Sequence, residues 1–320
     1  MSRTRLPRLA AALCLALAVP VLLVPVLSGG DGGGPSPGSP GPVAVEVTGG
    51  PGRAPLLEYD TPVTLTEQGT RVIWPGEGEP LEQGGPVLLH LHAEDGRDGR
   101  VLQSTFADAP AWRTLSVGSL GAHLHEALSG QRVGARLLFL EQQDATPLVL
   151  VVDVLPTRAA GEPVQPAAGL PTVALGADGA PAITVPPGAA PPPGLVVQPL
   201  VRGTGRQVEP GMVVTVRFTG VRWSDGQVFD STWAPPPGAR DAPREDQSAV
   251  QSIMVGVGQV IEGWDQGLVE QSVGSQIMLV VPPALGYGGS STPLADETLV
   301  YVVDILDAHH GEGPAAEGAS

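Results

Sequence analysis

The chain is 320 residues long, with 44 Gly, 35 Pro and a formal charge of −16, too long for one small domain and too rich in chain breakers for one continuous core. All 17 basic residues are Arg, against 33 acidic ones, which argues against a nucleic-acid partner, because phosphate contacts need clustered cations. The single cysteine, Cys14, lies near the N-terminus, so the rest of the chain offers neither a disulfide framework nor a thiolate zinc site.

Residues 1–30 read as a targeting segment. MSRTRLPR is positive, and Leu9 to Leu27 is an uncharged run of 19 residues, interrupted by Pro20 and Pro25. Such a run is long for a cleaved signal peptide and just long enough to span a bilayer, so both a signal peptide and an N-terminal membrane anchor stay open. Either way the positive flank stays inside and the remainder is exported, touching the membrane only through this segment. Leu13 precedes Cys14 where a lipoprotein signal wants a small residue, so lipidation is not expected. Residues 31–44 form a Gly/Pro linker with nothing to bury, and residues 309–320 a similar tail.

Two stretches then repeat each other. PVLLHLHAEDGRDGRVLQST (86–105) lies without a gap over VVTVRFTGVRWSDGQVFDST (213–232), and LVLVVDVL (148–155) over LVYVVDIL (299–306). Between them, SLGAHLHEALSGQRVGARLLFL (119–140) parallels QVIEGWDQGLVEQSVGSQIMLV (259–280). The repeat predicts one domain over 45–156 and a second over 195–308. His90 and His92 share the strand face opposite Leu89 and Leu91, while His123 and His125 fall on different faces of a predicted helix. Solvent-facing positions are expected for all four, and for His309 and His310, with no metal site. The intervening 157–194 is rich in Pro, Ala and Gly. Within it PTVALGADGAPAITVP (171–186) carries two β-prone pieces about a DG turn, fit for edge strands or a wrapping arm, and Pro187 to Pro193 reads as extended.

In the second copy, period-two alternation puts Val214, Val216 and Phe218 on one strand face. Ser224-Asp225-Gly226-Gln227 makes a turn, and Ile277–Val281 and Thr298–Leu306 are further strands. A short helix over Trp264–Glu270 crosses the sheet, giving an α+β layer with one apolar concavity. A tryptophan at the start of a short helix is by itself an ordinary core residue. Its surroundings sharpen that reading. VTVRFTG (214–220), DGQVFDST (225–232), GVGQVIEGWDQG (256–267), VPPALGYG (281–288) and ETLVYVVDIL (297–306) follow in the order of the FK506-binding-protein (FKBP) family of peptidyl-prolyl cis-trans isomerases, which residues 194–308 resemble.

The resemblance implies two FKBP-like domains, each a twisted antiparallel sheet wrapped on one short helix, and an isomerase without cofactor or metal. By resemblance Asp230, Tyr287 and Phe218 are catalytic, and Phe229, Val260, Ile261, Trp264, Tyr301, Ile253 and Leu294 bind substrate, with Trp264 as the floor. Five of the chain's 12 aromatic residues (five Trp, three Tyr, four Phe) stand at these positions. Proline-containing polypeptides are the implied substrates and a macrolide a second class of ligand. Several positions depart from the family. Phe218 replaces a tyrosine, Gln251 and Ile253 replace aromatics, the loop 232–251 is longer, and the flap 288–297 lacks an Ile-Pro-Pro run. Reduced or altered turnover and weaker macrolide binding are therefore expected. Opposite Phe218, Phe229, Asp230, Trp264 and Tyr301 the first copy has Leu91, Leu102, Gln103, Leu124 and Leu150, which predicts a degenerate, pocketless scaffold. A non-catalytic peptide-binding chaperone is the alternative function.

Overall fold

The computed structural model describes residues 44–65, 68–143, 145–233 and 249–311. The targeting segment, the Gly/Pro linker up to residue 43, most of the insertion after Thr232 and the tail after Gly311 lie outside them; His309, assigned to the tail from sequence, instead ends the last strand. Among the described residues no helix is long and apolar enough to cross a membrane.

The first half runs β1 (Glu46–Thr48), β2 (Leu56–Glu58), β3 (Gly69–Trp74), β4 (Pro86–Asp95), β5 (Arg100–Ser104), β6 (Ala111–Thr114), α1 (Val117–Leu120), α2 (Ala122–Leu128), β7 (Arg136–Gln143) and β8 (Thr146–Leu155). After it come β9 (Glu162–Pro163), β10 (Thr172–Leu175), β11 (Pro181–Thr184), β12 (Val196–Arg202), β13 (Val213–Arg222), β14 (Val228–Ser231), β15 (Gln251–Met254), α3 (Glu262–Leu268), β16 (Gln276–Val281) and β17 (Leu299–His309). The first sheet has the order β3-β7-β8-β4-β5 with β6 on β4, and the second β12-β16-β17-β13-β14 with β15 on β13. Strand for strand these are the same antiparallel topology. The register agrees over most of its length, as Leu91 faces Val152 where Phe218 faces Val303 and Ala93 faces Leu150 where Gly220 faces Tyr301, though only the second ladder carries a bulge, between Thr215 and Val216. A side-chain detail recurs too, since the Leu91 N–H donates to Thr105 Oγ1 as the Phe218 N–H donates to Thr232 Oγ1, each at 2.9 Å.

Alternation explains which face each strand buries. Val214, Val216 and Phe218 of β13 turn inward with Val303 and Ile305 of β17, and the helix α3 lays Trp264 and Leu268 over them. Burying side chains of this size stabilises by about 1.5–3 kcal/mol each before conformational entropy is counted. In the first sheet Leu128 of α2 covers Val87, Leu89, Leu137, Phe139 and Val152 in the same way. Helix α3 starts and stops two residues earlier than its sequence predicts. Val269 is already extended (ψ 143°), and Glu270 has a positive φ of 68° and donates its N–H to Val208 O, so the helix cannot continue. The equivalent residue after α2, Gly130, takes the same left-handed conformation (φ 84°) without a Cβ to strain it.

The segment 171–186 folds as a hairpin of its own, β10 on β11. It does not join the second sheet as an edge. Instead Val173, Ile183 and Val185 pack beside Trp223, Met278, Val280, Val300 and Val302 on the face away from α3. The strand that extends the sheet edge is β9, on β12.

Both sheets belong to one compact unit. They meet through Leu88, Leu155 and Trp112 on one side and Val250 and Leu306 on the other. Leu155 and Leu306 occupy the same place in the repeated final strands, so the copies touch through equivalent residues. Arg217 lies between the rings of Trp233 (3.3 Å to the centroid) and Trp112 (5.0 Å). This contact overturns the expectation of solvent-facing histidines: His90, His92 and His309 are 0%, 4% and 2% exposed. The face of β4 opposite the leucines is polar in sequence yet covered, by the second half at His90 and by Ser104 and Glu94 at His92. His310 does stay exposed, beside Glu209.

Candidate active site

The concave side of the second sheet gathers four rings. Phe218 on β13 meets Trp264 on α3 edge-on, with centroids 5.1 Å apart and planes at 90°. Tyr301 on β17 stands edge-on to both Trp264 (5.2 Å) and Phe229 of β14 (5.5 Å). Such edge-to-face packing adds about 0.5–1.5 kcal/mol per pair beyond area burial, and it fixes ring orientation. Gly220 makes it possible: a Cβ there would lie 2.8 Å from Phe229 Cζ and 3.0 Å from Tyr301 Cε1. An isolated glycine inside a strand signals such an approach, so this residue was open to sequence reasoning and was missed. The first copy has Ala93 at this point, with leucines around it.

The remaining substrate-binding residues named from sequence collect around the same core. Ile253 is buried within it, and Val260, Ile261, Tyr287 and Leu294 pack against it half-buried. The loop that presents Val260 and Ile261 is tied down by Asp265 of α3, whose carboxylate accepts the N–H groups of Gly256 (2.8 Å) and Gly258 (2.6 Å). Gln251, at the other replaced aromatic position, is exposed. Asp230 sits on β14 with an exposed residue surface, yet burial of its carboxyl raises that group above its ordinary value against one opposing backbone hydrogen bond. Burial likewise pushes the Tyr301 hydroxyl up, helped by its hydrogen bond with Tyr287 and by the nearby Asp230 charge. The Trp264 indole N–H is buried without a protein partner. The arrangement is a cluster of four packed rings with a carboxyl and a tyrosine hydroxyl near it.

The corresponding surface of the first sheet is built otherwise. Where Gly263 of α3 lies against Val281, the first copy carries His123 and Glu141, with His123 Nδ1 2.5 Å from Glu141 Oε1 and Nε2 3.0 Å from Thr70 Oγ1. His123 also stands edge-on to Phe139 (5.6 Å) and is half-buried. Leu102 is 44% exposed.

A sequence model of the FKBP-type peptidyl-prolyl cis-trans isomerases matches residues 204–306, the span from just after β12 into β17. Over 124 residues the chain is 35% identical to the FK506-binding protein of Streptomyces anulatus, which takes in 38% of this chain and 90% of that one. The probable FK506-binding protein of Corynebacterium glutamicum matches at 33% over 130 residues, 40% of this chain and 98% of its own. That of Neisseria meningitidis serogroup B matches at 33% over 122 residues, 36% and 97%. The chain belongs to the FKBP-type peptidyl-prolyl cis-trans isomerase family. As an FKBP-type isomerase it catalyses rotation about X–Pro bonds, and the four rings lie inside the segment that the family model covers. The first sheet lies N-terminal to that segment.

Proposed function

We propose that the second half isomerises X–Pro bonds of exported proteins by binding the twisted amide in the aromatic cup. Resonance gives the planar amide a rotation barrier of about 18–20 kcal/mol. The twisted amide has lost that conjugation, so a water-poor apolar cup favours it over the solvated planar state without nucleophile or cofactor. Trp264 is the floor for the pyrrolidine ring, with Phe218, Phe229 and Tyr301 as walls and Ile253, Val260, Ile261 and Leu294 lining the side. Tyr287 orients the substrate carbonyl, and Asp230 is the polar contact near the rotating bond. The observation that carries this reading is the edge-to-face set of four rings, with Asp230 and Tyr287 within reach of Tyr301. Export is supported by the positive leader and the uncharged run Leu9 to Leu27. Uncatalysed X–Pro isomerisation takes tens to hundreds of seconds, which gives such an enzyme a folding role outside the cell membrane. The first half then serves as a scaffold without a cup.

The test is cis-to-trans relaxation of a short X–Pro peptide, followed by NMR exchange, with the full chain. Trp264→Leu and Phe229→Leu, which install the residues of the first copy, are expected to lower kcat/KM by 10-fold or more while circular dichroism stays unchanged. A second reading, a peptide-binding chaperone, is favoured by the exposed Gln251 at the rim. It takes over if the folded wild type binds proline peptides without accelerating their relaxation.

A further inference from the structure

Away from the cup, the junction between the sheets brings two imidazoles and a carboxylate together inside the protein. His90 comes from β4 of the first sheet, and Asp307 and His309 from β17 of the second. All three are buried, and one donor atom from each lies within 4.8 Å of the others. His90 Nε2 is 3.1 Å and His309 Nδ1 2.6 Å from the same oxygen, Asp307 Oδ2. We propose that His90, Asp307 and His309 form a binding site for one divalent transition-metal ion that joins the two halves of the chain.

Charge balance first separates this cluster from its neighbours. Asp153 is paired with Arg136, which reaches both its oxygens. Asp304 accepts from Gln276 and from the Ala159 N–H, and its charge acts on Arg217. Among the described residues the ion-pair partners of Asp307 are His90 and His309, with no guanidinium among them. A buried carboxylate demands a cation, because an uncompensated charge is strongly unfavourable in a low-dielectric interior. Two imidazoles can supply one by taking up a proton or by holding a metal.

Geometry and surroundings favour the metal. Metal–nitrogen and metal–oxygen bonds of about 2.0–2.2 Å put neighbouring ligands of a tetrahedral site about 3.3 Å apart. The His90–Asp307 separation of 3.1 Å is already close to that, whereas His309 Nδ1, at 2.6 Å from the same oxygen, has to draw back by about 0.7 Å to make room for the ion. The distal Nδ1 of His90 is 2.8 Å from Thr105 Oγ1, which also accepts the Leu91 N–H at 2.9 Å. That hydroxyl can reach Leu91 O at 3.4 Å, leaving its oxygen to accept an Nδ1 proton and Nε2 free to ligate. A second contact of this kind orients most ligating histidines. The His90 ring is further clamped by stacking on Phe106 (4.0 Å, 15°) and by the edge of His309 (4.9 Å, 87°). Two imidazoles with one carboxylate suit zinc, cobalt or nickel, whereas calcium and magnesium prefer oxygen shells. Three protein ligands leave the fourth tetrahedral position to water. The twin position of His90 holds Arg217, a permanent cation that metal cannot replace, so the site belongs to one side of the repeat.

The experiment uses the untagged full chain after chelator treatment, with Co²⁺ as probe. The ion is added both to the native protein at equilibrium and during refolding, so that slow access to a buried site is not mistaken for absence of binding. We expect saturation at one equivalent, a visible absorption band of four-coordinate cobalt, displacement by Zn²⁺, and a raised thermal midpoint. His90→Gln and His309→Gln each lower the affinity at least 10-fold, as does the near-isosteric Asp307→Asn, with folding checked by circular dichroism. His310→Gln, on the exposed neighbour, leaves it unchanged. No saturable binding by either route overturns the proposal and leaves a proton as the cluster's cation. Binding that survives both histidine substitutions overturns it as well, by placing the ion elsewhere.

Discussion

Burial raises the Asp230 carboxyl above its ordinary value, so the folded chain favours the protonated form more than the unfolded chain does. The sign of the consequence for stability follows. The folded state holds its proton over a pH range where the unfolded state has released it, so Asp230 takes stability away as pH rises through its raised folded value. A residue kept under that burden fits a role in binding better than a role in packing. Asp230→Asn should therefore raise the thermal midpoint at neutral pH while lowering kcat/KM on an X–Pro peptide. If the carboxylate is the working form, wild-type activity falls on acidification at a higher pH than an ordinary carboxyl would dictate, and the Asn variant loses that acid limb. A variant with full activity and an unchanged acid limb would remove Asp230 from the site.

At the scale of the element, the contact between α3 and its sheet is set by a glycine. A Cβ on Gly263 would sit 2.5 Å from Val281 Cγ1 and 2.8 Å from Cγ2. Two effects oppose each other in Gly263→Ala. Alanine is the better helix former by about 1 kcal/mol, but overpacking against a stiff β-branched side chain costs about 1–3 kcal/mol. The clash should win. The helix carrying Trp264 is then pushed off β16, and chemical denaturation should give a loss of about 1–2 kcal/mol with a fall in activity; an equal or higher stability would contradict the packing. Sequence reasoning reached the strands of this region because alternation and burial coincide in β13, and the repeat carried the same reading to β4. It placed the helix two residues late, since nothing local announces that Glu270 will take a left-handed conformation. It also misjudged His90 and His92, because a polar strand face looks solvent-exposed until a second sheet covers it, and such coverage is a long-range property.

For the molecule as a whole, the repeat raises the question of whether the two halves are independent. The buried junction argues that they are not. Leu155 ends β8, and its counterpart Leu306 lies in β17; both belong to one apolar cluster with Leu88, Val250 and Trp112. Arg217 of the second half lies over Trp112 of the first, and burial lowers its guanidinium to about 10, so this cation is sheltered by the partner half. Val250 and Trp233 flank the insertion that follows β14, which ties the border of the isomerase half to the first sheet. Truncating a buried leucine costs about 2–5 kcal/mol, depending on how far the site collapses. Leu155→Ala, in the half outside the matched family segment, should therefore lower the unfolding midpoint of the aromatic cup too. The measurement is denaturant unfolding of the full chain read by Trp264 fluorescence, with the other four tryptophans, Trp74, Trp112, Trp223 and Trp233, replaced by Phe to isolate the signal, beside far-ultraviolet circular dichroism. One coincident transition, displaced as a unit by Leu155→Ala, is the expected result. Two transitions, with the fluorescence of the cup unmoved, would mean that the first half only sits beside the enzyme and does not hold it.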